Sequence, residues 1–102
     1  MLTDKEFDDA FTAAGGRFFA NTYEYIADNI NIHTSELIDK LFLLGYDANR
    51  SGTSARVSSC KRLISDNYGV RALSKVARSN KIKPDAINTA CRILKDRFNI
   101  LT

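Results

Sequence analysis

Apolar side chains recur along most of this chain at the three- and four-residue spacing of a helix. Phe7, Ala10, Phe11 and Ala14 mark a first helix. The preceding Thr3-Asp4-Lys5-Glu6 is a capping box: Thr3 accepts from the amide three residues on, and Glu6 reaches back. Gly15-Gly16 stops the helix. Phe19, Tyr23, Ile26 and Ile30 then fall at i, i+4, i+7 and i+11, predicting a helix over Arg17–Asn29. A strand competes there, because Phe18, Tyr23 and Tyr25 carry β-propensity, but strict alternation is missing. Asn29 to Thr34 reads as a connection. Thr34 or Ser35 caps a third helix with a wide apolar stripe of Leu37, Ile38, Leu41, Phe42 and Leu44, ended by Gly45.

Tyr46 to Thr53 is the clearest loop, with Asp47, Asn49, Ser51 and Gly52 as turn formers. Ser54 then starts a helix through Val57, Cys60, Leu63 and Ile64 that stops near Gly69. A short helix from Val70 to about Asn80 turns Leu73, Val76 and Ala77 inward. Lys81-Ile82-Lys83 forms a tight turn, and Pro84 opens the last helix, where its missing amide donor costs nothing. Ala86, Ile87, Ala90, Ile93, Leu94 and Phe98 are its buried face. The expected fold class is all-α: a compact bundle of five to six helices.

Size agrees with one helical domain over residues 1–102, since halves of about 50 residues would bury thin cores. Of these 102 residues, 44% are hydrophobic and 26% charged, a balance that builds a core without metal or disulfide. Cys60 and Cys91 sit in helical patterns outside any CxxC pair, which favours reduced thiols over a disulfide. No apolar run approaches the roughly 18 residues of a membrane span, and Met1-Leu2-Thr3-Asp4-Lys5-Glu6 lacks the form of a signal peptide. The expectation is a cytoplasmic protein without a membrane partner.

Charge changes the picture. Residues 1–49 hold nine acidic side chains and three basic ones; residues 50–102 hold three acidic and twelve basic, so the net +3 conceals two opposed halves. Such segregation points to a polyanionic partner. The competing explanation is that the two halves attract each other within the fold or across a dimer.

Catalytic chemistry is sparse. His33 is the single histidine, in a connection, and reads as a loop or cap residue. Asp8-Asp9 reads as a solvated helix face, and Ser58 and Ser59 have no base in sequence reach. Gly15-Gly16-Arg17 lacks the lysine and hydroxyl of a phosphate loop. No enzyme activity, catalytic residue, metal, cofactor or small-molecule substrate is expected.

The stretch Leu73–Arg92 carries more. Ala77 allows two helices to cross closely, Ile82 plugs the turn, and Ile87 pins the second helix on the first. Val76-Ala77-Arg78, Ile82 and Ala86-Ile87-Asn88-Thr89-Ala90 resemble the helix-turn-helix of Cro-type phage repressors and their bacterial relatives, over about 20 of the 102 residues. The sequence departs from that motif at Asn80, where an apolar residue is usual, and at Lys81, where glycine is usual and a left-handed conformation would be required.

The resemblance implies that the last helix enters the major groove of duplex DNA, with Asp85, Asn88, Thr89 and Arg92 reading bases. Arg71, Lys75, Arg78, Lys81 and Lys83 would hold phosphates, with Arg56, Lys61 and Arg62 as further cations nearby. A homodimer would read a two-fold operator, and the aromatic N-terminal half has rings for an interface or, as favoured here, for the core. The function expected is a small sequence-specific transcriptional regulator of phage, plasmid or bacterial type. The alternative is a helical adaptor, or an inhibitor of a nucleic-acid enzyme, that does not touch DNA. An RNA-binding role is disfavoured because the basic half holds only Tyr68 and Phe98 for base stacking.

Overall fold

A computed structural model describes residues 1–46 and 49–101. Six helices and no strand occur among them: α1 (Asp4–Ala14), α2 (Gly16–Asp28), α3 (Thr34–Leu43), α4 (Arg50–Ser65), α5 (Gly69–Ala77) and α6 (Pro84–Phe98). The all-helical bundle expected from periodicity is the observed fold. The aromatic segment is helical because Phe18, Phe19, Tyr23 and Ile26 all turn into one core.

Local chemistry sets most boundaries. The Glu6 amide donates to Thr3 Oγ1 at 3.1 Å, and the Thr3 amide donates to Glu6 Oε1 at 3.0 Å, completing the capping box. Gly15 alone, at φ +79°, separates α1 from α2, so Gly16 is the first residue of α2 and not part of a stop. His33, not Thr34 or Ser35, caps α3: its Nδ1 accepts from the Ser35 amide at 3.3 Å. α4 starts four residues earlier than its apolar pattern suggests. Asn49 caps it by accepting from the Gly52 amide at 2.6 Å, and the turn formers Ser51 and Gly52 occupy its first turn. Asp47, another expected turn former, lies outside the described residues.

α2 is the central element, packed against α1, α4, α5 and α6, while α3 closes on α4. One core cluster draws on all six helices, and Phe7, Phe19, Ile26, Leu37, Leu63, Leu73 and Ile93 are fully buried in it. Most of the aromatic N-terminal half goes to this core: Phe7, Phe11, Phe18, Phe19 and Tyr23 are buried. Two side chains depart from the expected stripes. Leu44 lies past the end of α3 and is 60% exposed; Phe98, in the last turn of α6, packs its ring edge-on to Tyr23 yet stays 37% exposed. Cys60 is buried and Cys91 half-buried, both as free thiols, and desolvation pushes the Cys60 thiol up to about 12.

Candidate nucleic-acid interface

The segment that resembles a helix-turn-helix forms two helices, but with a longer link than the sequence suggests. α5 ends at Ala77, and residues 78–83 connect it to α6. Ser79 is the cause. Its Oγ accepts from the amides of Lys81 and Ile82 at 3.1 and 3.2 Å, a local alternative to helical bonding. Lys81 does not adopt a left-handed conformation; Asn67 and Asn99 are the non-glycine residues with positive φ among those described. Val76 and Ala90 are fully buried between the packed helices, and Ala77 and Ile87 half-buried.

Ile82 does plug the turn, but its socket is on α2. A Cβ added to Gly16 would lie 2.5 Å from Ile82 Cδ1 and 3.2 Å from the tip of the Phe11 ring. This contact brings the start of α2 beside the start of α6. Arg17 bridges them, with Nη2 3.3 Å from Asp85 Oδ2. Neither helix start has a side-chain cap: Gly15 precedes α2 and Lys83 precedes α6. The two helix starts therefore meet at one edge, where Pro84 has no amide donor to offer and the Asp85 carboxylate, in the first turn of α6, accepts from the Ala86 amide. Beside it lies an open cleft of about 590 Å³ lined by residues including Arg17, Asn21, Tyr46 and Arg56.

The expected DNA residues separate into two groups. Arg71 and Lys75 face α1, pairing with Asp4 at 3.2 Å and Asp8 at 3.0 Å. The matching four-residue spacings on α5 and α1 put both pairs in register. Arg71 also lies 4.1 Å from the centre of the Phe7 ring, and Lys75 4.9 Å from that of Phe11. Arg92 is held by Glu24 at 2.6 Å and Asp96 at 3.8 Å. Asp85 is held by Arg17, and Thr89 donates its hydroxyl to the Asp85 carbonyl at 2.9 Å. By contrast, the side chains of Arg78, Lys81 and Lys83 make no ion pair among the described residues, and Asn88 is exposed on the outer side of α6.

Much of the charge segregation is thus answered inside the fold. Lys61 also turns inward, donating to Ile32 O at 3.2 Å and Thr34 Oγ1 at 3.1 Å, and Arg62 reaches Glu6 at 3.6 Å. On α2, Glu24 and Asp28 clamp Arg92 and Arg97, the latter pairing with Asp28 at 2.6 Å. The hydrogen bond from Arg92 holds the Glu24 carboxyl below its ordinary value of 4.5. Because the folded value is depressed, this stabilisation is complete above the ordinary value and is lost as pH falls through the folded one. Thermal melts should therefore hold steady down to about pH 5 and weaken below the ordinary glutamate range. Glu24→Gln should lower the melting temperature at pH 7 and reduce its fall in acid. An unchanged acid profile would remove the clamp from the account.

Arg17 and Glu24 are the participants that sequence reasoning missed. Arg17 is a basic residue in the acidic half, and its proximity to Asp85 becomes visible only when Ile82 docks on Gly16. No group of three His, Cys, Asp or Glu side chains among the described residues could hold a metal. No helix of the described residues is long and apolar enough to cross a membrane. Compared with known protein families, curated proteins and solved structures, the chain matches none.

Proposed function

We propose that this chain binds duplex DNA through the edge formed by residues 78–83 and the first turns of α6, as a small sequence-specific regulator of phage, plasmid or bacterial type. One observation carries the reading: three of the cations that folding leaves without a carboxylate, Arg78, Lys81 and Lys83, lie together on the link that leads into α6, while Lys95 stands apart near the end of that helix. Arg78, Lys81 and Lys83 have no carboxylate partner among the described residues, and phosphate oxygens suit their charge. Arg71 and Lys75 are secondary contacts. Asp4 is 90% exposed at the side chain, and an exposed pair is worth at most about 1 kcal/mol, so phosphate competes for Arg71 at small cost. Arg92 belongs more firmly to Glu24, whose carboxylate also holds Arg97.

Base reading then rests chiefly on Asn88. Its amide offers a donor beside an acceptor, the pattern that matches adenine in the major groove. Asn88→Ala should leave stability nearly unchanged, since alanine is the better helix former by a few tenths of a kcal/mol. At an operator selected from random duplexes it should cost about 1–3 kcal/mol, with non-specific affinity and salt slope unaltered. Loss of thermal stability with unaltered discrimination would make Asn88 a structural residue. The intramolecular pairing of the two charged halves favours one second reading, an adaptor or inhibitor that binds protein and not DNA. Absence of any salt-sensitive duplex binding selects that reading.

A further inference from the structure

Two adjacent glycines separate α1 from α2, and they are glycine for different reasons. Gly15 stands at φ +79°, a conformation that strains any side chain. Gly16 lies outside that region and opens α2, and within a helix alanine is the better former. Its reason is steric: an added Cβ would lie 2.5 Å from Ile82 Cδ1 and 3.2 Å from the tip of the Phe11 ring. The bare backbone of Gly16 is therefore a seat for the half-buried Ile82 side chain. We infer that Gly16 and Ile82 position the basic link, the seat holding Lys81 and Lys83 outward in the arrangement that meets phosphate. The inference deepens the DNA-binding reading and rests on it for its use, whereas the seat rests on the contact alone.

Exposure along the link shows how one apolar contact sets two charges. Lys81, Ile82 and Lys83 are exposed, half-buried and exposed in turn. With Ile82 turned onto α2, the lysines on either side of it face solvent. Two polar contacts support the seat. Ser79 Oγ accepts from the amides of Lys81 and Ile82 at 3.1 and 3.2 Å, which shapes the turn from within. Arg17, next to Gly16, meets Asp85 just past the link at 3.3 Å. Those two side chains are 55% and 54% exposed, and a pair so exposed contributes little, so the apolar seat is the principal anchor to α2. Charges held in place before binding need not be ordered at binding, which is how a seat remote from the phosphates raises affinity for them.

Limited trypsin digestion and duplex binding test the seat together. Trypsin can cut the link after Arg78 and Lys81 (Lys83 precedes Pro84), and in the wild-type protein both bonds should resist. Ile82→Ala empties the seat and leaves α2 untouched. It should keep the helical circular-dichroism signal, speed cleavage at both bonds about tenfold, and lower affinity for a random-sequence duplex about tenfold. Its salt slope should stay near the wild-type value, because the cations remain and only their placement is lost. Gly16→Leu, which fills the seat from the other side, should act in the same direction, and the conservative Ile82→Val should stay close to wild type. If Gly16→Leu fails to fold, Ile82→Ala decides. Cleavage of the wild-type link at the rate of the Ile82→Ala link overturns the inference, as does an opened link that binds duplex with unaltered affinity. If the wild-type protein binds no duplex, the DNA reading falls, and the seat stands only if both disruptive variants open the link to trypsin.

Discussion

Phe19→Ala should lower the stability of this protein by about 3–5 kcal/mol, the usual loss when a buried ring leaves a cavity in a close-packed interior. Phe19 is fully buried on α2, its ring centre 5.6 Å from that of Tyr23. Because α2 packs against α1, α4, α5 and α6, no single neighbouring helix can move in to fill the void without leaving another contact. For a domain near 100 residues this corresponds to a fall of more than about 12 °C in melting temperature. It also approaches the whole stability of a marginal domain, so the variant should unfold early in urea. A loss below about 1 kcal/mol would show that the core around α2 collapses freely, contrary to its central place.

Replacing Arg78, Lys81 and Lys83 together by alanine should change binding and spare the fold. All three side chains are exposed and lack carboxylate partners among the described residues, so the stability change should stay within about 0.5 kcal/mol. Each phosphate neutralised contributes about −0.9 to the slope of log affinity against log salt, so three lost contacts flatten the slope by about 2.7. For three contacts alone, wild-type affinity falls roughly fortyfold between 50 and 200 mM salt, and the variant should lose most of that dependence. Arg71→Ala with Lys75→Ala supplies the contrast. These two residues hold Asp4 and Asp8 and cover the Phe7 and Phe11 rings, so their loss should loosen α1 with a smaller effect on slope. A slope that collapses in this pair and survives in the triple variant would move the interface to the outer face of α5.

The helical architecture was legible in the sequence because burial and periodicity agree at nearly every core position. Phe7, Phe19, Leu37, Val57, Leu73 and Ile93 each recur at helical spacing, and each is buried. What was hard to read was side-chain competition for backbone donors. Ser79 withdraws residues 78–83 from α5, and Asn49 extends α4 backward through Ser51 and Gly52. Neither effect leaves a trace in the apolar pattern. The candidate interface was legible as a set of cations, but not as the subset that stays available. Linear charge balance cannot say that Asp4 meets Arg71 or that Glu24 meets Arg92, pairs separated by more than 60 residues. Among the described residues, folding therefore leaves the cations of the turn before α6, and Lys95 farther along that helix, without a carboxylate, and it brings Arg17 from the acidic half to the edge beside that turn.

The most direct test of the central claim is the affinity of the unmodified protein for a random-sequence duplex, followed by fluorescence anisotropy as salt is raised from about 50 mM. Binding through Arg78, Lys81 and Lys83 predicts a linear fall of log affinity against log salt, with a slope of about −2.7. The slope should be steeper if phosphates also recruit Arg71 and Lys75 from their carboxylates. No detectable binding at the lowest salt, or affinity indifferent to salt, would contradict the account and leave the charged surface to a protein partner.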